Sequence, residues 1–311
     1  MRCMSEQMIN NNAPRSRLMA LLLAALWPGL GQLYNGEINK AAWFILLTLL
    51  GGLPLGAILL LRLPASWTVY ILGGMAALVL ILWLSGMIDA VVSAHRKQQY
   101  QPQLWQGLGV YLLVFIFISQ FIYPLLSSKV RQYWIEGFMI SSVSMEPTLI
   151  AGDWIFVDRR YNCIACRYGV QRGDVVIFTY PNDRTVSYIK RVIALPGDKV
   201  SLRGMQISVN GKPISSAPVF QEKLAVVQES YENKHWLVVW RHPEKASAPF
   251  DIEVKPGEVF VMGDNRSNSN DSRVIGTIPL RDISGRAKQI WLSYSRPKGG
   301  LQWDRIGRAI Q

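Results

Sequence analysis

Three apolar segments long enough to cross a bilayer crowd the first 126 residues of this 311-residue chain, and nothing else in the sequence restricts its fold as strongly. A hydrocarbon core takes about 20 apolar residues in helical form, because a backbone without water must satisfy its own hydrogen bonds. Ala41 to Leu61, Trp67 to Met87 and Leu108 to Leu126 meet that length, bracketed by Lys40, Arg62, Asp89 and Lys129. A fourth segment, Leu18 to Leu33, is shorter and interrupted by Trp27-Pro28-Gly29-Leu30-Gly31, so it reads as a broken or re-entrant helix, with a fourth crossing as the alternative. No small-x-small cleavage site follows it closely, which favours a retained anchor over a removed leader.

From Ser127 onward the pattern changes to short runs rich in β-branched and aromatic residues, separated by Gly, Pro, Asn and Asp. Trp154 to Val157, Val175 to Phe178, Val259 to Met262 and Ile290 to Leu292 read as strands, and no segment there reads as a helix. Asn210-Gly211, between Ile207-Ser208-Val209 and Lys212-Pro213-Ile214, signals a tight hairpin, since both central positions of that turn need positive φ. Residues 215–250 show no clear period and read as an excursion from the sheet. The expected organisation is therefore a membrane domain over 1–126 and a β-rich domain over 127–311.

The most basic short connection, His95-Arg96-Lys97, belongs on the cytoplasmic side, so the span from Leu108 to Leu126 exits and places Ser127 to Gln311 on the extracytoplasmic face. The net charge of +12 comes from scattered Lys and Arg rather than a run, which argues for anionic lipid headgroups as partners and against nucleic acid. Three cysteines, Cys3, Cys163 and Cys166, are too few for a disulfide scaffold. The pair Cys163-x-x-Cys166 is compatible with a tight disulfide, half a metal site or two free thiols.

Three stretches carry chemistry. The first, Ser141-Ser142-Val143-Ser144-Met145-Glu146-Pro147-Thr148-Leu149, fits an exposed turn; taken alone, its serines read as caps. In the second, Tyr188-Ile189-Lys190-Arg191-Val192-Ile193-Ala194-Leu195-Pro196-Gly197-Asp198, a lysine sits on an apolar strand. Such a lysine either snorkels to water or, if buried, loses its hydration and becomes a base near neutral pH. The third, Gly263 to Arg273, packs hydroxyls, amides and carboxylates beside two arginines directly after an apolar strand.

Together these stretches resemble the sequence boxes of bacterial type I signal peptidases. Ser-Met-x-Pro-Thr-Leu stands at Ser144 to Leu149 and is followed by Gly152-Asp153. Arg172-Gly173-Asp174-Val175-Val176 is similar to the Arg-Gly-Asp box, Tyr-Ile-Lys-Arg with Pro-Gly-Asp runs from Tyr188 to Asp198, and Gly-Asp-Asn-Arg-x-x-Ser-x-Asp-Ser-Arg runs from Gly263 to Arg273. The likeness covers most of residues 138–293, with four boxes in order. It implies a mainly β fold: N-terminal transmembrane helices, then an extracytoplasmic antiparallel β-sheet catalytic domain in the cytoplasmic membrane.

By the same resemblance, Ser144 is the nucleophile and Lys190 the general base, with Ser142 and the Ser144 amide as the oxyanion hole. Ser269 would orient the lysine ammonium, Asp271 and Arg273 would form a supporting ion pair, and Asp264 would shape the site. Phe138, Ile140 and Ile189 would line the substrate pockets, with Met139 to Val143 pairing an extended substrate. No metal or cofactor is implied. The substrates implied are exported preproteins whose signal peptides end in a small-x-small pattern. A lysine base needs no histidine; His235 and His242 fall in the excursion and His95 in the cytoplasmic loop, so no Ser-His-Asp arrangement is in view.

The chain departs from the family pattern at two places. Ser141 stands where proline is usual and should loosen the strand, and Val143 stands where glycine is usual and should narrow a pocket. Val143 keeps a dedicated pilin or conjugation-substrate peptidase in view, and a non-catalytic membrane-tethered binding module is the rival outside enzymes. Further upstream, Pro28 to Gly36 resembles the Pro-Gly-x-Gly stretch of small paired-helix membrane domains, where glycine permits close helix packing.

Overall fold

The computed structural model describes residues 14–162, 169–222, 224–243, 247–295 and 299–311. Cys3, Cys163 and Cys166 lie outside these residues. The chain divides into two compact units, Met1–Arg62 with Tyr70–Val130 and Leu63–Val69 with Arg131–Gln311.

The first unit is helical: α1 (Arg17–Leu26), α2 (Leu30–Tyr34), α3 (Ile38–Gly51), α4 (Leu53–Arg62), α5 (Thr68–Arg96) and α6 (Leu108–Phe117), the last leading through a π turn into α7 (Tyr123–Tyr133). Three helical stretches, Ile38–Arg62, Ala65–Arg96 and Leu108–Tyr133, are long and apolar enough to cross a membrane. All three contain the segments expected from the sequence and run beyond them. Because α5 continues to Arg96, His95 sits in its last turn rather than in a loop, where it meets an Arg17 guanidinium nitrogen. The charged end of the span is a helix terminus because Lys and Arg extend helices readily and complement the C-terminal dipole.

The break between α1 and α2 follows from Pro28 and from Gly29, whose φ of 106° is unfavourable for other residues. A Cβ on Gly31 would lie 2.5 Å from Ala20 O and 2.7 Å from the Ala90 methyl, so only glycine lets these helices approach this closely. Fully buried Gln32 and Asn35 then bond across to α5, through Gln32 Nε2 to Gly86 O (2.8 Å) and Asn35 Nδ2 to Ala90 O (2.7 Å).

The second unit is mainly antiparallel β. Its strands are β1 (Ile135–Met139), β2 (Asp153–Asp158), β3 (Val175–Thr179), β4 (Ser187–Ala194), β5 (Lys199–Gly204), β6 (Gln206–Val209), β7 (Lys212–Pro213), β8 (Val219–Gln221), β9 (Leu224–Tyr231), β10 (Lys234–Trp240), β11 (Ser247–Glu253), β12 (Glu258–Met262), β13 (Ile278–Pro279), β14 (Ile283–Ser295) and β15 (Gly300–Leu301). The largest sheet has the order β1-β2-β14-β3-β4-β12-β13, with β15 on β14; β10-β9-β8 and β11-β5-β6-β7 form two smaller sheets. Asn210 and Gly211 adopt the expected positive φ, and Val209 pairs with Lys212 across their turn.

Residues 215–250 are more regular than their pattern suggested, since they supply the three-stranded sheet and the start of β11. On β9 the inward positions are Ala225, Val227 and Glu229, so a buried glutamate interrupts the apolar alternation that marks a strand. The expectation of no helix from Ser127 onward fails where α7 continues to Tyr133 and again at α8 (Ser272–Ile275), a single turn capped by the Asp271 side chain.

Glu229 is buried because Arg266 meets it. Arg266 Nη1 and Nη2 both reach its carboxylate, Trp236 Nε1 donates to Glu229 Oε2 at 2.9 Å, and both members of the ion pair are shielded from solvent. This ties the loop after β12 to the three-stranded sheet. Removing one partner leaves a charge buried alone, so Arg266→Met is expected to destabilise the domain by about 3–5 kcal/mol, and the double change Glu229→Leu/Arg266→Met to recover most of that loss. Urea unfolding of the full chain in detergent, followed by tryptophan fluorescence, measures both.

Candidate active site

The serine segment follows β1 as a sharp turn whose shape comes from its apolar residues. Met145 and Leu149 are fully buried beside Ile155, Val175 and Ile189, so the turn is pinned to the sheet and Ser144, itself largely buried, is held at the edge of the cleft. Leu149 N–H donates to Met145 O at 2.9 Å and Ile150 N–H to Asp153 Oδ2 at 2.9 Å, which closes the turn onto β2. Arg305 neutralises that aspartate through Nη2 at 2.6 Å.

Lys190 lies on β4, paired with Val176 of β3, and only 4% of it is exposed. Its ammonium donates to Ser144 Oγ at 2.9 Å and to Ile189 O at 2.8 Å. Burial pushes the Lys190 pKa down to about 8, against the upward pull of the Asp271 and Asp264 carboxylates. A neutral amine is thus accessible near physiological pH, within hydrogen-bond reach of a hydroxyl. Tyr188, two residues earlier on the same strand face, stacks on Tyr180 at 4.4 Å and sets its ring 5.3 Å from the ammonium.

The loop after β12 supports the pair. Asp264 takes Arg191 in a fully buried bidentate ion pair (2.8 and 2.7 Å) and accepts from Thr148 Oγ1 of the serine turn. Asp271 is bonded by Arg273 Nε at 2.8 Å and by the Gly263 N–H at 2.9 Å. Burial alone would raise the Asp271 carboxyl, but the Arg273 hydrogen bonds and charge and the Gly263 N–H hold it below the ordinary value. Ser142 Oγ lies 3.2 Å from Ser144 Oγ. Ser269 does not make the hydrogen bond to Lys190 that the resemblance implies. Its Oγ is buried beside the Asp271 carboxylate, which it helps hold below the ordinary value, whereas the ammonium bonds Ser144 and Ile189 O.

A cleft of about 390 Å³ opens beside the two residues. Phe138, Ile140 and Ile189 line it, together with Ser142, Val143, Ser144 and Lys190. Residues the sequence did not single out also line it: Ile177, Val186, Tyr188, Asn268 and Asn270. Arg191 was visible only as part of a box, although a buried arginine must have an anion and Asp264 was available. No signal pointed to the C-terminus, where Ile310 packs into the core under the serine turn and Gln311 O accepts from Arg191 Nη1 at 2.6 Å. Among the described residues, no three His, Cys, Asp or Glu side chains are grouped to hold a metal ion.

Comparison with known proteins points the same way. The sequence model of the family described as "Signal peptidase, peptidase S26" matches residues 111–292, more than half of the chain and all four boxes. Signal peptidase I of Pseudomonas fluorescens is 34% identical over 206 residues, covering 54% of this chain and 68% of that protein. Signal peptidase I of Buchnera aphidicola subsp. Acyrthosiphon pisum is 28% identical over 285 residues, which extends the likeness to 70% of this chain and 85% of that protein. A crystal structure of a signal peptidase I from Enterococcus faecalis V583 shares 26% identity, covering 38% of this chain and 95% of that one, at a TM-score of 0.26; the fold described above stands on this chain's own strand pairing.

A general-base role for Lys190 predicts an acid limb of the pH–rate profile for kcat/KM with its midpoint near pH 8, because a base must be neutral to accept a proton and its neutral fraction rises as pH climbs through its pKa. Asp271→Asn removes one upward pull, so the midpoint should move to lower pH; initial rates of peptide cleavage across the neutral to alkaline range check both directions.

Proposed function

The chain belongs to the peptidase S26 family of signal peptidases, and on that premise we propose that it works through a Ser144–Lys190 dyad. It is a membrane-anchored serine peptidase that removes signal peptides from exported preproteins. The observation that carries the dyad is the 2.9 Å contact between Lys190 Nζ and Ser144 Oγ at the floor of an apolar cleft, with the lysine buried.

In this mechanism neutral Lys190 takes the Ser144 proton as Oγ attacks the scissile carbonyl. The Ser144 N–H and the Ser142 hydroxyl stabilise the oxyanion. Lys190 then returns the proton to the departing amine, and the neutral amine activates the water that frees the acyl enzyme. Asp271, Arg273, Asp264 and Ser269 support the dyad by holding the loop and the local charge, and no cofactor takes part. The pKa near 8 supports this role, because a base half-neutral close to ambient pH combines sufficient supply with sufficient strength.

The substrate enters as an extended strand beside Met139 to Val143, with small side chains before the cut fitting shallow pockets at Phe138, Ile140 and Ile189. Val143, part-exposed at the cleft next to the nucleophile, narrows it further. Residues 1–126 form the membrane domain, multi-pass in the cytoplasmic membrane and in contact with its lipids, and residues 127–311 form the peptidase domain on the extracytoplasmic face. Three helices of spanning length and the basic His95-Arg96-Lys97 segment favour that orientation.

Cleavage of a preprotein with an Ala-x-Ala site by the detergent-solubilised enzyme tests the dyad: Ser144→Ala and Lys190→Ala should each lower kcat by at least about 10⁴-fold. Retained cleavage in either variant removes that residue from the mechanism. Val143→Gly should leave Ala-x-Ala cleavage intact and raise kcat/KM for substrates with a larger residue before the cut by about 10-fold, the scale of one or two methylenes in a steric pocket.

A further inference from the structure

We infer that Asn265 is a positioning residue for the reaction: its carboxamide and backbone amide orient the peptide between Val143 and Ser144 so that the Ser144 N–H faces the developing oxyanion. The inference rests on the reading of Ser144 as nucleophile and of its amide as an oxyanion donor.

Asn265 is fully buried, yet it is bonded to the serine turn at two consecutive carbonyls. Its Nδ2 donates to Val143 O at 3.1 Å, and its own N–H donates to Ser144 O at 3.0 Å. Val143 O also accepts the Glu146 N–H at 3.2 Å inside the turn, which uses its second lone pair. A peptide unit is planar and trans, so its C=O and N–H point in opposite directions. Drawing Val143 O toward Asn265 therefore aims the Ser144 N–H the other way. Among the described residues that N–H donates no hydrogen bond, which leaves it free for a substrate oxygen.

The contact is built in rather than incidental. A Cβ on Gly263 would stand 2.5 Å from Ser144 O and would also collide with Ser269 Oγ, so the glycine permits the loop to come this close. On its other side the loop is bonded to β10: Val239 N–H donates to Asp264 O at 2.9 Å and Arg266 N–H to Val239 O at 2.8 Å. Asn265 thus sits between a strand of the small sheet and the nucleophile. A preorganised donor acts on charge that appears only in the transition state, so misaiming it costs turnover rather than substrate binding.

The test compares Asn265→Asp, which keeps the shape but presents an ionised acceptor to Val143 O, with Asn265→Ala, and runs Ser144→Ala alongside. Preprotein cleavage gives kcat and KM, inhibition by a peptide aldehyde that forms a tetrahedral adduct reports the oxyanion site, and a melting curve reports the fold. Both Asn265 variants should lose about 100-fold in kcat with KM within about threefold, and lose aldehyde affinity in parallel. Parent-like kcat in Asn265→Asp, or kcat and KM shifting together with a fall in melting temperature and no selective loss of aldehyde affinity, overturns the assignment. If Ser144→Ala itself still cleaves, the dyad reading has failed; if it is inactive while the Asn265 variants are not, only the role of Asn265 has failed.

Discussion

The buried ion pair between Arg191 and Asp264 ties together the parts of the β-rich unit that surround Lys190 and Ser144. A guanidinium shielded from water is tolerable only when its donors are satisfied, and Arg191 satisfies them by bonding four separate parts of the chain. It makes two bonds to Asp264 in the loop after β12, one to Thr148 in the serine turn, one to Gly173 O before β3 and one to Gln311 O at the C-terminus. The next residue back along β4 is Lys190. Lys190, the serine turn and the loop after β12 are therefore referred to a common strand.

That arrangement also accounts for the lowered pKa of Lys190. The same burial that makes Arg191 dependent on Asp264 strips water from Lys190, whose hydrogen bonds among the described residues go to a hydroxyl and a carbonyl rather than to a carboxylate. Arginine cannot give up its proton and so demands an anion, whereas lysine answers burial by becoming neutral. Adjacent residues on one strand thus answer burial in opposite ways, Arg191 as a fixed, paired charge and Lys190 with a pKa brought near neutrality. Asp271 and Asp264 temper the effect, keeping the pKa near 8.

Much of this was legible in the residues. Apolar length marked the three spanning helices, the Pro28-Gly29 pair marked the break before them, and Asn210-Gly211 marked its hairpin, because each depends on local chemistry alone. The small sheet of residues 219–240 was not legible, since Glu229 occupies an inward position that only its distant partner Arg266 explains. In the site, the boxes named Ser144, Lys190, Asp264, Asp271 and Arg273, all of which the fold gathers at the cleft or beside it. The hydrogen bond expected from Ser269 is absent, because rotamer choice among nearby hydroxyls and carbonyls follows local geometry that a motif does not encode.

The sequence by itself determined which segments avoid water, which turns the chain makes and which residue types capable of nucleophilic chemistry it carries. Period, Pro-Gly punctuation and apolar run length act over a few residues and leave their mark in order. Only the tertiary structure decided that Lys190 is dry, that Val143 and Ser144 meet Asn265 from more than a hundred positions away, and that Ile310 packs beneath the serine turn while Gln311 O bonds Arg191. Burial, pKa and hydrogen-bond direction are properties of the three-dimensional environment, and that environment is assembled from strands remote in sequence.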